Sequence, residues 1–188
     1  MVVPIVEAAE DKDPLPPLSL PGGVESRLLT RDHAEEVQEL FVRCEDYFRI
    51  LSGKPPDQNE AIQFFMGEVP PGFSPERRRI EGVQQDGRLI ALLDTLRDYP
   101  DEHSWWIGLL IVDPRHRRSG LGKAIAQAFE RRAKNRGYRQ SALAILKDNP
   151  TAWSFWRGLG YRETEIVRSV AFGELEHQAV RCIKILES

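Results

Sequence analysis

The chain has 188 residues, of which 41% are hydrophobic and 29% are charged, and it carries a net charge of −3 at pH 7. This length and apolar content predict one domain with a sizeable core. The mildly acidic balance argues against a general nucleic-acid-binding surface, and no stretch reaches the roughly 18 apolar residues of a membrane span.

Metal binding and secretion are not expected either. The two cysteines, Cys44 and Cys182, lie far apart, and neither they nor the four histidines have the spacing of metal ligands. The first residues include Glu7 and Glu10 instead of a basic and then apolar leader. We therefore expect a cytoplasmic protein with reduced thiols and no metal.

The first 23 residues differ from the remainder of the chain. They contain five prolines and show little periodicity, so Met1 to Gly23 is predicted to be an extended or disordered extension, at most packed loosely on the domain. The domain itself is then expected to occupy residues 24–188.

The first half of this domain reads as one strand and two helices. Val24 to Leu29 has strand character, and Asp32 with Glu35 has the spacing of a capping box. An apolar helical face follows: Ala34, Val37, Leu40, Phe41 and Cys44. A second helix is predicted over Asp57 to Gly67.

The second half alternates strands and helices. Asp86-Gly87 between two apolar runs predicts a hairpin, and a nearly unbroken apolar strand, Trp105 to Val112, comes next. Helical spacing from Gly120 to Arg136 and a strand to Leu146 complete a right-handed βαβ unit. A further helix and a terminal hairpin give the order β-α-α-β-β-β-α-β-α-β-β.

A basic, glycine-containing turn links the apolar strand to the long helix. It spans Arg117 to Lys123, and Gly120 and Gly122 have no side chains to keep a ligand from the backbone N–H groups of the helix start. This arrangement suits a phosphate or pyrophosphate.

Two common phosphate-binding motifs do not fit this turn. A dinucleotide fingerprint needs a third glycine where Ile125 stands, and a P-loop needs Ser or Thr where Ala124 stands. The remaining alternative is a tight turn whose arginines are merely solvated, but three basic residues around the glycines favour an anion site.

The pattern Arg-x-x-Gly-x-Gly after a strand ending in Asp113-Pro114 resembles the acetyl-CoA-binding motif of the GNAT superfamily of N-acetyltransferases. A second segment, Asn149 to Tyr161, is similar to that family's Asn-x-x-Ala-x-x-Phe-Tyr-x-x-x-Gly-Phe. The resemblance covers Val24 to Ile185. It implies an α/β fold with a mixed, twisted sheet of six to seven strands and helices on both faces.

The resemblance also assigns the cofactor site. It implies that acetyl-CoA is the co-substrate, with its pantetheine arm beside the main chain of Ile111 and Val112 and in contact with Asn149 and Trp156. Asn149 equally suits an N-cap before Pro150. The residues expected to hold the pyrophosphate are Arg117, Arg118, Ser119, Gly120, Leu121, Gly122 and Lys123.

The acid of the reaction is less clear from the sequence. The family's usual tyrosine aligns with Trp156, whose indole N–H cannot protonate a thiolate. Tyr161 and Tyr47 are alternative acids, or the CoA thiolate leaves as an anion.

The base is equally open. Asp94 is our candidate, because an acidic residue within a strand pattern is uncommon, although an outward, solvated position would also explain it. Glu45, Asp46 and His103 are alternatives.

The acceptor is predicted to be a primary amine of a small molecule or a peptide. The resemblance implies that the region of the first helices shapes the acceptor side, but most of the aromatic residues there are expected to be core, since two helices over a sheet need them: Tyr47, Phe48, Phe64, Phe65 and Phe73. The rival interpretation is a non-catalytic acyl-CoA-binding module, and a homodimer stays open.

Overall fold

A seven-stranded mixed sheet in the order β1-β2-β3-β4-β5-β7-β6 forms the frame of the protein. The computed structural model describes residues 15–186, apart from the side chain of Glu165. Every neighbouring pair is antiparallel except β4 and β5. The strands are β1 Glu25–Leu28, β2 Arg78–Gln85, β3 Arg88–Arg97, β4 Ser104–Val112, β5 Gln140–Leu146, β6 Arg162–Phe172 and β7 Leu175–Ile185.

Five helices cover both faces of the sheet in this part of the chain, so the predicted mixed α/β architecture is confirmed. They are α1 Ala34–Arg43, α2 Glu45–Ser52, α3 Glu60–Met66, α4 Leu121–Asn135 and α5 Pro150–Gly158. One core contains Phe41 of α1 and Phe48 of α2, and the other contains Phe129 of α4 and Trp156 of α5. Two separate cores follow because each face of a sheet needs its own apolar cover.

The structure corrects the predicted first helix in two respects. The chain breaks at Cys44 and forms two helices, α1 and α2, where the sequence suggested one continuous face. The start is also different, since a short 3₁₀ turn over Arg31–His33 precedes α1, and no side chain of the described residues caps α1. Asp32 and Glu35 therefore do not form the capping box.

β4 and β5 separate after four paired residues, and this divergence positions the site. Ser104–Ile107 pair with Gln140–Leu143, and beyond this point neither strand has a partner on that side within residues 15–186. A register shift between β3 and β4 at Asp94/Thr95 leaves Gly108 out of the ladder at the same level. Such bulges bend a strand and redirect its side chains, so β4 diverges from β5 and a gap opens between them.

The described part of the N-terminal extension is packed, contrary to the expectation for residues up to Gly23. Residues 1–14 lie outside the described residues, but Leu15 and Leu18 are buried in the α4–α5 core. An extended proline-rich segment has about three residues per turn, which places both leucines on one face. The carbonyls of Leu15 and Pro16 accept hydrogen bonds from Arg79 and Arg132.

We expect replacement of Leu18 by Ala to lower the free energy of unfolding by about 2–4 kcal/mol, since the leucine is only 5% exposed and its loss would leave a cavity. Denaturant unfolding measures the change. The control is Val42→Ala on α1, where the valine is 55% exposed and the change should stay within about 0.5 kcal/mol. An equally small effect at Leu18 would show that the segment is not part of the folded core.

Within residues 15–186, no helix has both the length and the apolar character to cross a membrane.

Candidate active site

The glycine turn lies between the end of β4 and the start of α4. Asp113 accepts a hydrogen bond from Arg115 N at 3.0 Å and so caps a 3₁₀ turn, Pro114–His116. Gly120 then adopts φ +89°, which strongly favours glycine, and α4 begins without a cap from any described side chain. The N–H groups of the first turn of α4 are thus left for an anion.

A buried ion pair fixes the start of this turn. Arg43 of α1 donates to Asp113 Oδ2 at 2.6 Å and to the Leu89 carbonyl of β3 at 2.6 Å. Burial tends to raise the pKa of Asp113, but the hydrogen bonds from Arg115 N and Arg43 outweigh it, so its pKa lies below the usual value. From the sequence, Asp113 marked only the end of a strand.

Arg117 forms hydrogen bonds with other groups of the protein, although the resemblance assigned it to the pyrophosphate. Its Nε donates to the Val112 carbonyl at 2.9 Å, and its two terminal nitrogens donate to both carboxylate oxygens of Asp46 on α2. The Val112 carbonyl thus already accepts a hydrogen bond from Arg117 and is less available to the pantetheine arm. The same hydrogen bonds from Arg117 hold the pKa of Asp46 below its ordinary range, which makes Asp46 a weak candidate for the base.

The remaining residues of the turn are open to a ligand. Arg118, Gly120 and Lys123 are exposed at the helix start. Ser119 is exposed too, although its hydroxyl donates to the His116 carbonyl at 2.7 Å. Gly122 is closer to the protein, since a Cβ built there would lie 3.5 Å from the Phe155 ring of α5.

Helix α5 uses the residues of the second motif mainly for structure. Asn149 caps the helix by accepting a hydrogen bond from Ala152 N at 3.0 Å. Trp156 lies in the core against the rings of Phe155 and Tyr161, at 4.8 and 5.0 Å between centroids. The ring beside Gly122 therefore belongs to Phe155 and not to Trp156.

Tyr161 is a core residue, and the structure argues against its predicted catalytic role. It is 1% exposed, and its hydroxyl lies 2.6 Å from Ser141 Oγ in the paired part of β5. Burial, with a contribution from the charge of Glu130, raises its pKa well above the ordinary value. A thiolate in the open gap would have no access to this hydroxyl.

Asp94 lies at the level where the gap opens. A Cβ built on Gly108 would be 3.1 Å from Asp94 Oδ2, so the carboxylate lies directly beside the bulge of β4. Arg78 of β2 donates to both oxygens of Asp94 at 3.0 and 3.1 Å and to the Gly67 carbonyl. Burial raises the pKa of Asp94, and the hydrogen bonds and charge of Arg78 oppose that effect.

The other candidate acids and bases are less suitable. Glu45 accepts a hydrogen bond from Arg49 at 2.6 Å on the surface of α2, and His103 is a half-exposed loop residue beside Glu102. Burial, followed by the charge of Glu60, raises the pKa of Tyr47 to about 12. No group of three or more potential metal ligands occurs among the described side chains.

Helix α2 crosses the open end of the gap, an arrangement that the sequence did not predict. Asp46 ties its first turn to the end of β4, and the carbonyl of Leu51 accepts a hydrogen bond from His177 Nε2 of β7 at 2.8 Å. His177 is 7% exposed. A histidine in a strand near the chain end has no local sequence signal for such a contact, because its partner is 126 residues away.

Comparison with known families identifies the family to which the chain belongs. The model of the acetyltransferase (GNAT) family matches residues 35–161, which include both the glycine turn and α5. The chain belongs to the GNAT acetyltransferase family. It is accordingly an N-acetyltransferase, as the resemblance implied. No curated protein matches the chain.

Solved structures share the fold of this GNAT protein. An acetyltransferase from Thermus thermophilus has a TM-score of 0.68 at 20% identity, covering 89% of this chain and 99% of its own. The ribosomal-protein-S18-alanine N-acetyltransferase from Escherichia coli has 0.65 at 17%, covering 88% and 95%. A ribosomal L7/L12 α-N-protein acetyltransferase in complex with coenzyme A has 0.70 at 13%, covering 90% and 98%.

We expect Gly122→Glu to weaken CoA binding by about 100-fold or more, because it places a carboxylate where the cofactor phosphates are expected. Isothermal titration with CoA measures the effect. Gly122→Ala is the matched control, since its methyl group would make an ordinary contact with Phe155 and add no charge. Equal affinity of the glutamate variant and the wild type would refute the assignment of this turn.

Proposed function

We propose that this protein transfers the acetyl group of acetyl-CoA to a primary amine by direct attack of the amine on the thioester. The observation that carries the proposal is the gap between β4 and β5, with the uncapped start of α4 near its β4 wall and Asp94 beside its inner end. Phosphate binding and proton removal then have separate places along one channel.

The cofactor fits the groups that the structure leaves free. The exposed Arg118 and Lys123 and the first N–H groups of α4 suit the pyrophosphate. Beyond Ile107, the edge of β4 that faces the gap has no strand partner among the described residues, so Gly108 to Ile111 can offer main-chain groups to the pantetheine amides. Arg117 contributes by holding the turn against α2.

The chemistry requires one bond to form and one to break. The nitrogen of a neutral amine attacks the carbonyl carbon of the thioester, an oxyanion develops on the carbonyl oxygen, and the C–S bond then breaks. Main-chain N–H groups near the bulge at Gly108 are suited to stabilise the oxyanion. Holding the amine beside the thioester supplies much of the remaining acceleration.

Asp94 is the base in this proposal. As the neutral amine attacks, its nitrogen becomes positively charged, and the Asp94 carboxylate accepts the proton that this nitrogen must lose, directly or through one water. Arg78 positions it with two hydrogen bonds. Because burial raises its pKa, the carboxylate is a better proton acceptor than a solvated aspartate.

The thiolate leaves as an anion in this mechanism. Trp156 has no acidic proton and Tyr161 is enclosed in the core, while the pKa of Tyr47 of about 12 makes its phenol a poor acid. A thiol has an ordinary pKa of about 8.5, so its thiolate is a tolerable leaving group near neutral pH.

Thiol release from acetyl-CoA across a panel of amines tests the function. The panel contains free amino acids, polyamines, arylalkylamines and short peptides with free N-termini. We expect release that depends on the acceptor for at least one class. Tight CoA binding without any acceptor-dependent release would instead identify a non-catalytic acyl-CoA-binding module.

We expect Asp94→Asn to lower kcat by about 100-fold or more, as is typical for loss of a general base. In the wild type, log(kcat/KM) should rise with pH with a slope of one, because the acceptor amine must be neutral. Below the pKa of Asp94 the slope should increase by one more, because the carboxylate must be ionised. Only the second component should disappear in the variant, because activity needs the carboxylate and is lost as pH falls through its pKa.

The matched control is Asp86→Asn in the β2–β3 turn, where φ of +51° is compatible with asparagine. It should leave the rate and the pH profile unchanged. An unaltered profile in Asp94→Asn would remove Asp94 from the mechanism.

A further inference from the structure

We propose that Arg181 binds a carboxylate of the acceptor, so that the acceptor is a small molecule carrying both an amine and a carboxylate. This inference rests on the proposed acetyl transfer and specifies its substrate class. It begins from an arginine of β7 that faces the acceptor side of the gap and whose Nε has no hydrogen-bond partner among the described residues.

The register of the sheet places Arg181 on the face covered by α1, α2 and α3, which we call the acceptor face. Side chains alternate along β7, and Cys182 lies in the α4–α5 core while His177 contacts α2 on the other face. Arg181 shares the face of His177, because both have odd positions in a regular strand. Directly across from it on β5 is Ala144, which is exposed at the start of the gap.

Arg181 has unused hydrogen-bonding capacity. Its Nε is buried without a hydrogen bond to any described residue, and its ionic contact with Asp101 is 4.0 Å long, beyond hydrogen-bonding distance. By contrast, Arg78 on the same face has both of its acceptors within hydrogen-bonding distance. Nε is itself shielded from solvent, so a carboxylate would bind through the terminal nitrogens, whose 4.0 Å contact with Asp101 leaves hydrogen-bonding capacity unused.

Asp101 is held in place by other groups and so is not free to close on Arg181. Its Oδ1 accepts hydrogen bonds from Ser104 Oγ at 2.7 Å and from His103 N at 3.0 Å. The Arg181 side chain is 21% exposed, so a ligand from the gap can reach it. Asp101 thus orients the guanidinium without saturating it.

The surroundings of Arg181 suit a small acceptor. Toward the paired end of β4, three rings form a wall, with centroids 4.9 Å apart for Phe73–Tyr99 and 5.1 Å for Tyr99–Trp106. Toward the open end, the hydrogen bond between His177 and Leu51 joins β7 to α2. Between them, the side chains of β5 are small: Ala142 is buried, and Ala144 is exposed and leaves room above the sheet.

The spacing of the strands gives the distance that an acceptor must span between Asp94 and Arg181. Asp94 and Arg181 lie on β3 and β7, three strands apart, which is about 14 Å between backbones or more where β4 and β5 diverge. An arginine side chain can cover part of this span, so one small molecule can place its amine near Asp94 and its carboxylate at Arg181. The aromatic wall favours an apolar or aromatic side group.

The test compares L-phenylalanine, L-leucine and L-alanine with their amides and with phenethylamine as acceptors. We expect the acids to have the higher kcat/KM in the wild type. Arg181→Met should lower kcat/KM for the acids by about 10- to 100-fold, mainly through KM, as is typical of a lost charge-assisted hydrogen bond. Values for the amides should hardly change, and Arg181→Lys should be intermediate.

The matched control is Arg131→Met, since Arg131 is exposed on α4 on the opposite face of the sheet. Equal use of acids and amides by the wild type, or equal loss for both in Arg181→Met, would overturn the inference while leaving acetyl transfer intact. A preference for peptides irrespective of a blocked C-terminus would overturn it too.

A binding experiment keeps the two proposals distinguishable. The thermal shift of the CoA-loaded protein is measured with N-acetyl-L-phenylalanine and with its amide. We expect a larger shift with the acid, and this difference should vanish in Arg181→Met even if no amine is turned over. Equal shifts in the wild type would overturn the carboxylate site independently of the kinetic result.

Discussion

The early end of the pairing between β4 and β5 is the constraint on which the site depends. Parallel strands share evenly spaced hydrogen bonds, and here they stop after Ile107 because the bulge at Gly108 bends β4 away. The separation leaves main-chain groups of β4 without a strand partner from the described chain in the middle of the sheet. A cofactor rich in amides can satisfy those groups, whereas a continuous sheet would offer it none.

Charged side chains near this gap divide into structural and free groups. Arg43 and Arg117 are bonded to Asp113 and Asp46, and they hold the glycine turn between α1, α2 and the end of β4. Arg78 holds Asp94 beside the bulge. These pairs fix the geometry of the site, because two of them join elements that are distant in the chain and the third joins the neighbouring strands β2 and β3. The exposed residues of the turn remain available for phosphate.

The local signals in the sequence were sufficient for most of the fold. Asp86-Gly87 predicted the β2–β3 hairpin, and the structure has both residues at positive φ, as a tight hairpin requires. The spacing from Leu121 onward predicted α4 to within a residue. The break at Cys44 was missed because the apolar face continues across it, and the packed Leu18 was missed because proline-rich segments carry no periodic signal.

The sequence by itself determined the family, the glycine turn and the order of the elements apart from α2, since each depends on residues close together in the chain. Only the tertiary structure decided what each side chain does there. It placed Tyr161 and Trp156 in the core, paired Arg117 with Asp46, brought Asp94 beside Gly108 and left Arg181 Nε without an acceptor among the described residues. Those outcomes depend on strand register and helix packing across dozens of residues, which local patterns do not encode.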